Sequence, residues 1–432
     1  MSKTDPWLFC LRTSKAMAVN PMAFLIAEVW YKEHRMAISK KVKQLMGGSS
    51  WVRRMFESAA QLKVQYGEDN IFDFTLGNPV EEPPQRFKEA LKEFALNPLP
   101  GMHRYMPNSG YPETRRFLAQ QLSKETGISF TENHIVMTVG AAGGMNVALK
   151  AILDQGDEVI IPSPYFVEYE FYIENHGGVM RLVNTAEDFT LDLAAIEKAI
   201  TKKTKIVLIN SPHNPTGVVY SASALRALAD LLQAKSKGRQ TPIYLLADEA
   251  YKTIVFDDIH LPNVFEIYEP SLSIVSYSKS LSIPGERIGY AAINPLYAGA
   301  EEVIAAMIFT NRTLGFVNAP ALMQRLLPLL GTDHVAPIEY QRKRDLLYQA
   351  LTEYGYCVGR PQGAFYMFPQ TPIKDDLAFV SDLQENFHIL TVPGRGFGKK
   401  GYFRIAYCVD TEVIERSLAG FEKAAKKYGL FR

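Results

Sequence analysis

The sequence predicts an α/β fold, in which a mainly parallel β-sheet lies between helices and is followed by a smaller α+β domain. Short apolar strands alternate with helical patterns from about residue 85 to residue 317, which is typical of parallel sheets. Residues 206–209 and 243–247 are apolar throughout, as expected for strands that are buried on both faces. Beyond residue 318 the alternation gives way to a long helical pattern over 321–351 and short strands, which indicates the second domain.

The composition narrows the class of function. The 432 residues include 47 lysines and arginines and 46 aspartates and glutamates, for a formal net charge of +1. Nucleic-acid-binding domains usually carry a strong basic excess, so we expect small-molecule substrates and no nucleic-acid partner. Cys10, Cys357 and Cys408 lack metal-ligand spacing, so we expect neither a disulfide framework nor a metal site. Sparse cysteines suit a reducing compartment, and we expect a cytoplasmic protein.

The N-terminal part of the chain is predicted to lie outside the main sheet. Residues 16–30 are apolar, but Asn20 and Pro21 interrupt them and no small-residue cleavage site follows, so we expect no signal peptide and no membrane span. A start at Met36 is an alternative reading of this region. The predicted divisions are an extension over 1–35, an arm and part of the small domain over 36–84, the large domain over 85–317 and the C-terminal small domain over 318–432.

Two predicted strands near the start of the fold end in turns of small residues. Residues 71–76 alternate as a strand and end at Gly77, before an Asn-Pro pair. Residues 135–139 lead into a turn that contains Ala141 and Ala142 and is followed by a helical pattern. Small residues at a strand-to-helix turn let backbone N–H groups approach a phosphate group, so the two alanines are candidate phosphate-binding residues.

The chemistry of the chain centres on one lysine, Lys279, which follows the apolar residues 272–275. Ser276 and Ser278 precede it and Arg287 lies downstream. A desolvated setting lowers the pKa of a lysine and makes it a better nucleophile. Hydroxyl groups and a guanidinium group are the donors that a phosphate group needs. Together they predict pyridoxal 5′-phosphate (PLP), a carbonyl cofactor with a phosphate group, held covalently through Lys279.

Two residues after the strand 243–247 suit the ring of this cofactor. Asp248 is a carboxylate that could pair with the protonated pyridine nitrogen and keep the ring an electron sink. Tyr251 lies three residues on and could reach the phenolic oxygen. An isolated aspartate at such a position is commonly a helix cap. The prediction therefore depends on the order of the motifs along the chain.

That order resembles the class I/II aminotransferases, PLP-dependent enzymes of fold-type I. N-P-T-G at Asn214 is followed by D-E-A-Y at Asp248 and by S-x-S-K-x7-R-x-G-Y from Ser276. The resemblance implies a sheet of the seven-stranded type and a homodimer with shared active sites. It also implies a ping-pong aminotransferase that moves an amino group from an L-amino acid to a 2-oxo acid, expected to be 2-oxoglutarate.

The resemblance further implies how individual residues contact the cofactor. Asn214 and Tyr251 would hold the phenolic oxygen, while the two serines and the arginine of the lysine motif would hold the phosphate. Phe166 would stack on the pyridine ring, with Tyr165 as the second choice. Tyr105 lies in a Tyr-x4-Gly segment and would cross the dimer interface to the partner's cofactor phosphate.

On the substrate side, the resemblance assigns Arg404 to the α-carboxylate and places Gly77 beside the substrate, together with Asn214. Lys279 would be the general base that moves the Cα proton. The donor stays open among aspartate, glutamate, alanine and aromatic amino acids. Ala142 stands where some aspartate-using relatives carry a lysine, which weakens the assignment of aspartate as the donor. Arg312 is a candidate for binding the distal carboxylate of a substrate.

Two other functions remain as alternatives. A carbon–sulfur β-lyase, or another enzyme of the same fold, would use the same lysine and differ in how it handles a leaving group. A non-catalytic PLP-binding regulator domain belongs to a different class, but such proteins carry an added DNA-binding unit. About 70 residues precede Asp73 and they show no helix-turn-helix signature. An aminotransferase is therefore the preferred prediction.

Overall fold

A computed structural model describes residues 38–47, 62 and 64–431 of the chain. The predicted extension over 1–35 and Met36 lie outside the described residues. The chain divides into two units, Met1–Ser50 and Trp51–Arg432. The described part of the first unit includes one helix, α1, Lys40–Gly47.

The strands of the second unit include those predicted near residues 135–139, 206–209 and 243–247. They are β1 Phe72–Asp73, β2 Ile135–Thr138, β3 Glu158–Ser163, β4 Val179–Asn184, β5 Thr204–Asn210, β6 Tyr244–Asp248, β7 Ser271–Ser276, β8 Gly289–Ile293, β9 Tyr366–Met367, β10 Ile389–Leu390, β11 Val392–Pro393 and β12 Phe403–Ala406.

Helices alternate with the strands of the first part and dominate the last part. They are α2 Gln85–Leu96, α3 Pro112–Thr126, α4 Gly140–Ile152, α5 Glu168–Asn175, α6 Leu193–Ala199, α7 Ala222–Ser236, α8 Tyr277–Ser280, α9 Ala300–Thr313, α10 Ala321–Leu330, α11 Pro337–Glu353, α12 Asp376–Phe387 and α13 Thr411–Lys427.

Seven strands form the main sheet in the order β2-β8-β7-β6-β5-β3-β4. Strand β8 is antiparallel to both of its neighbours, and the other neighbouring pairs are parallel. Parallel strands need long crossover connections, and the helices between these strands supply them. The predicted α/β fold with a mainly parallel seven-stranded sheet is confirmed.

Alternate side chains of the strands enter two separate apolar cores. Val207 and Leu245 pack in a core with Phe87 of α2 and Leu228 of α7. Their neighbours in sequence, such as Leu208 and Leu246, enter a second core together with α4, α5 and α9. Side chains of a strand point alternately to opposite faces, so the sheet is covered on both sides, as its apolar strands predict.

A third core holds the C-terminal part of the chain together with the start of the fold. Strand β1 pairs with β10, and β12 lies between β11 and β9 in a small antiparallel sheet. Phe74, which follows β1, is fully buried in this third core with residues of α12 and α13. The N-terminal strand therefore packs with the C-terminal region, and the predicted domain boundaries stay a prediction.

The single long helix predicted over 321–351 is wrong. Two helices, α10 and α11, occupy this region, and Gly331 follows the first with a φ of 62°. A positive φ is easy for glycine and interrupts a right-handed helix, and Pro337 is suited to start the next helix because its fixed φ matches a first turn. Helix α10 packs in the same core as Phe87.

Candidate functional site

The site forms where neighbouring parallel strands end at the same edge of the sheet. Asn210 and Asp248 are register partners at the ends of β5 and β6, and β7 ends at Ser276. The Asn210 amide donates to the Asp248 carbonyl oxygen (2.9 Å), and its side-chain oxygen accepts from the Asn214 backbone N–H (2.8 Å). This asparagine holds the Asn214 loop against β6. Ligands of open α/β sheets bind at this edge.

Lys279 lies in the one-turn helix α8, which β7 leads into. Its Nζ atom donates to the carbonyl oxygen of Gly77 and lies 5.6 Å from the centre of the Phe365 ring. Burial lowers the pKa of Lys279 to about 8; the nearby Cys408 opposes this shift, while the positive charge of Arg404 adds to it. A buried amine with a lowered pKa is a nucleophile near neutral pH.

Hydroxyl and guanidinium donors surround the start of helix α8. Ser276 donates to Ser278 Oγ (2.9 Å), which also accepts from Arg287 Nη1 at 3.3 Å. A Cβ atom on Gly140 would lie only 2.8 Å from Arg287 Nη2, so this glycine lets the guanidinium approach the N-terminus of α4. The described chain thus brings the predicted phosphate donors together, although Arg287 remains exposed.

The first turn of α4 contributes backbone donors on the same side. Ala141 and Ala142 follow Gly140 in this turn and are half-buried. The first N–H groups of a helix have no partner within the helix, and the helix dipole places partial positive charge there. These backbone groups lie in the turn that begins at Gly140, the glycine that Arg287 approaches.

Asp248 is buried and held by a tyrosine that the sequence did not indicate. Tyr169 donates to Asp248 Oδ2 (2.6 Å), and the Ala250 backbone N–H donates to Oδ1 (3.2 Å). Burial raises the pKa of Asp248, and the Tyr169 hydrogen bond opposes that shift. The Tyr169 ring meets the Phe166 ring edge to face at 5.4 Å between ring centres. Tyr169 thus links the predicted stacking residue to the predicted carboxylate.

Tyr165, the second choice for stacking, is more deeply buried than Phe166. Its hydroxyl group lies 3.4 Å from Glu170, and its side chain is buried. Phe166 is only half-buried, so it is the more accessible of the two rings.

Arg404, on strand β12, is almost completely buried, with 3% of its surface exposed. Its Nη1 donates to Asn214 Oδ1 (3.1 Å) and its Nη2 to the Thr75 carbonyl oxygen (2.5 Å). The guanidinium lies 4.7 Å from the ring centres of both Tyr366 and Phe397. Among the described residues, its Nε is a buried nitrogen without a hydrogen-bond partner. Such an atom is available to a bound anion.

Tyr251 is linked to Arg404 through Tyr366, whose ring lies beside the Arg404 guanidinium. Its hydroxyl group lies 2.8 Å from the hydroxyl group of Tyr366, and burial raises the pKa of Tyr251 well above its ordinary value. Its ring also meets Phe365 edge to face at 5.4 Å. Both hydroxyl groups therefore stay protonated at neutral pH.

Gly77 is confined by the same two aromatic residues. A Cβ atom at this position would overlap the Tyr366 hydroxyl oxygen, would lie 2.9 Å from Tyr366 Cζ and would lie 3.0 Å from Phe365 Cε2. Glycine is therefore required for the chain to pass between these rings and Lys279.

Tyr105 is the one predicted site residue that the isolated chain leaves apart from the others. Its side chain is 90% exposed. Tyr169, Tyr366 and Thr75 are site residues that the sequence did not reveal. Tyr169 is three residues after Phe166, a helical spacing that could have indicated a shared face, whereas the other two carry no signal in the sequence.

Within the described residues the chain offers neither a metal site nor a membrane-spanning helix. No group of three or more histidine, cysteine, aspartate or glutamate side chains could hold a metal ion there. No helix in the same part of the chain has the length and apolar character needed to cross a membrane.

Comparisons with known proteins agree with this architecture. The family model for aminotransferase class I and II matches residues 69–421. An aspartate/prephenate aminotransferase from Thermus thermophilus is 32% identical over 376 residues, which cover 85% of this chain and 94% of that protein. Aromatic-amino-acid aminotransferase 2 from Thermococcus litoralis is 30% identical over 406 residues, which cover 91% of this chain and 99% of that protein.

A solved structure resembles the chain as a whole. The crystal structure of an aminotransferase from Eubacterium rectale superposes with a TM-score of 0.88 at 38% identity, and the match covers 91% of this chain and 100% of that one. The chain therefore belongs to the class I and II aminotransferase family of fold-type I, and it is a PLP-dependent enzyme that transfers an amino group from an L-amino acid to a 2-oxo acid.

Proposed function

We propose that Lys279 holds PLP covalently and then, as a free amine, serves as the general base that moves the substrate Cα proton. The observation that carries this proposal is the buried Nζ atom beside Gly77, with a pKa lowered to about 8. An amine with such a pKa is partly neutral near pH 7 and can accept a proton. Bound PLP supplies an electron sink for the charge that forms at Cα.

The donor set fits the phosphate group of the cofactor. Ser276, Ser278, Arg287 and the N-terminus of α4 offer hydroxyl, guanidinium and backbone N–H donors from one side. Phosphate oxygens accept only, and a mixed set of neutral and cationic donors matches them. The close approach between Gly140 and Arg287 supports the same assignment, since a side chain there would displace the guanidinium.

The ring of the cofactor would lie between Phe166 and the ends of β5 and β6. Asp248 would pair with the pyridine nitrogen. Its carboxylate is buried, and a buried carboxylate with a raised pKa gains most from a positive partner. Asn214 and Tyr251 would hold the phenolic oxygen, each already oriented by a neighbour, Asn210 and Tyr366.

Arg404 would bind the substrate α-carboxylate. Its Nε is buried without a partner in the described part of the chain, and its charge is surrounded by rings and neutral carbonyl groups. A buried guanidinium without a counter-ion binds a carboxylate strongly. Asn214 contacts the same guanidinium, so substrate and cofactor contacts share one residue.

For the acceptor we propose 2-oxoglutarate, and for the donor an amino acid of the classes that the relatives' names mention, aspartate or an aromatic amino acid. Family analogy supports both. Ala142 stands where some aspartate-using relatives carry a lysine for the side-chain carboxylate of the substrate. Because this chain lacks that lysine, an aromatic donor is favoured over aspartate. Arg312 is exposed in the isolated chain and lies 5.6 Å from the Phe309 ring centre, which leaves its distal-carboxylate role without support.

We also propose a cytoplasmic homodimer with shared sites. Family analogy supports both the compartment and the dimer, and the ring of Tyr105, at 90% exposure, is available to a second subunit. The division into an extension over 1–35, an arm and part of the small domain over 36–84, the large domain over 85–317 and the C-terminal small domain over 318–432 is proposed on the same family basis.

A single-turnover scan tests the function. Purified holoenzyme is mixed with each amino acid in turn while the visible absorbance of bound PLP and the products are followed. We expect loss of that absorbance with release of a 2-oxo acid from one class of amino acid. Release of pyruvate and ammonia with unchanged absorbance would instead indicate the β-lyase. No reaction with any amino acid would favour the regulator domain.

A further inference from the structure

The side chain of Tyr366 contacts both halves of the candidate site, the cofactor half at Tyr251 and the substrate-carboxylate half at Arg404. It lies on the short strand β9 and is 2% exposed. Its hydroxyl group meets that of Tyr251 at 2.8 Å, and its ring face lies 4.7 Å from the Arg404 guanidinium. The two contacts use different parts of one side chain, so a substitution can remove one and leave the other.

Either hydroxyl group could donate the hydrogen bond between Tyr366 and Tyr251, and the proposed function decides which one does. Burial raises the pKa of Tyr366 to about 12 and raises the pKa of Tyr251 well above its ordinary value, so each oxygen carries one proton near pH 7. A phenol has one proton to donate. If the Tyr251 hydroxyl group donates its one hydrogen bond to the phenolic oxygen of PLP, its oxygen must accept the hydrogen bond that the Tyr366 hydroxyl group donates. Accepting a hydrogen bond strengthens the donation that Tyr251 makes.

The contact between the Tyr366 ring and the Arg404 guanidinium acts on the half of the site that would bind the substrate carboxylate. A guanidinium over the face of a tyrosine is attracted by the ring quadrupole, most strongly when both are desolvated. Arg404 and Tyr366 are both buried, and a second ring, Phe397, lies 4.7 Å from the same guanidinium. The rings thus hold the guanidinium in place without a negative charge that would compete with a substrate carboxylate.

We propose that Tyr366 is a positioning residue that couples the two halves of the site, since its hydroxyl group orients Tyr251 toward the cofactor and its ring face holds Arg404 for the substrate carboxylate. This inference rests on the proposed function, in particular on the roles of Tyr251 and Arg404. Gly77 makes the arrangement possible, because any Cβ atom there would occupy the space of the Tyr366 hydroxyl oxygen.

The hydroxyl part is tested by the spectral titration of the holoenzyme, which does not depend on turnover. Donation to the phenolic oxygen of PLP stabilises its anion, so weaker donation should raise the pH midpoint of the visible absorbance change. We expect Y366F to raise it by about half a pH unit and Y251F by more. Y356F is the matched control, because Tyr356 is also buried and donates to the Phe421 carbonyl oxygen (3.0 Å) away from the site.

The ring part is tested by single-turnover kinetics with the amino acid that the scan identifies. Y366F keeps the ring, so its apparent Kd for that amino acid should stay within about twofold of the wild-type value, while Y366L should raise it by about threefold to tenfold. Melting temperatures of all variants show which of them fold. If Y366L does not fold, Y366F still tests the hydroxyl part by titration.

The outcomes separate this inference from the proposed function. If the pH midpoint of the spectral titration shifts in Y251F but not in Y366F, the positioning role of Tyr366 is overturned and the proposed role of Tyr251 is retained. Unchanged midpoints in both would overturn the role of Tyr251 and, with it, this inference. Equal increases in apparent Kd for Y366F and Y366L would overturn the ring part.

Discussion

The Nζ atom of Lys279 donates a hydrogen bond to the carbonyl oxygen of Gly77, a residue 202 positions earlier in the chain. The contact ties the start of the fold to the helix that follows β7. Burial of this amine is the main cause of its lowered pKa.

The first prediction concerns how PLP is taken up by the apoenzyme at different pH. The neutral amine is the nucleophile, and a lowered pKa means that the neutral form dominates above about pH 8. The rate of uptake should rise about tenfold per pH unit below that pH and then level off. Stopped-flow absorbance measures this rate. A free lysine derivative is the control, and its rate should still rise up to about pH 10.

Uptake that keeps rising beyond pH 9 in the same manner as the free lysine derivative would contradict the assignment of a buried, lowered pKa to Lys279. The variant K279A should take up no cofactor covalently and should lose at least about a thousandfold in the first half-reaction. K237A, at an exposed lysine, should behave as the wild type does.

The second prediction concerns the fit between Gly77 and Tyr366. G77A should lower the free energy of unfolding by about 1–3 kcal/mol, because the new Cβ atom overlaps the tyrosine hydroxyl oxygen. Y366F removes that oxygen, so the double variant should lose less than the sum of the single losses. Chemical denaturation of the four proteins measures the coupling.

The matched control is G359A, where a Cβ atom would meet no other atom within 4 Å. It should change stability by less than about 0.5 kcal/mol. Additive effects of G77A and Y366F would show that the two residues do not compete for the same space.

The third prediction concerns Arg404 and the substrate carboxylate. R404K keeps the charge and loses the fork of donors, including the buried Nε. We expect the apparent Kd for the donor amino acid to rise by about tenfold to a hundredfold, with cofactor uptake unchanged. Single-turnover kinetics measure it. R342K, at an exposed arginine paired with Glu339, is the control, and an equal effect there would refute a specific role.

The fourth prediction concerns the shared site. K279A lacks the amine and a Y105A chain lacks the exposed ring, so each homodimer should be weakly active. Random reassociation of an equal mixture should restore about a quarter of the wild-type activity, because half of the dimers are hybrids with one complete site. Mass spectrometry of the tagged chains confirms hybrid formation. Hybrids with no recovered activity would argue against a site that spans two subunits.

The sequence by itself determined the fold class, the cofactor and the family. Apolar strands alternating with helices indicate a parallel sheet, and parallel strands end at one edge. Polar residues that follow such strands, such as Asn214, Asp248 and Lys279, are therefore brought near one another by the fold alone. Their types and order along the chain then indicated PLP and the aminotransferases.

Only the tertiary structure decided which side chains complete the site. Tyr366 meets Tyr251 across 115 residues, Tyr169 meets Asp248 across 79, and Arg404 meets the Thr75 carbonyl group across 329. Nothing local in the sequence distinguishes Tyr366 or Thr75 from an ordinary core tyrosine or loop residue, and only the spacing to Phe166 points to Tyr169. Their contacts depend on how the C-terminal strands pack over the sheet edge, and that packing is set by many weak contacts that no short motif records.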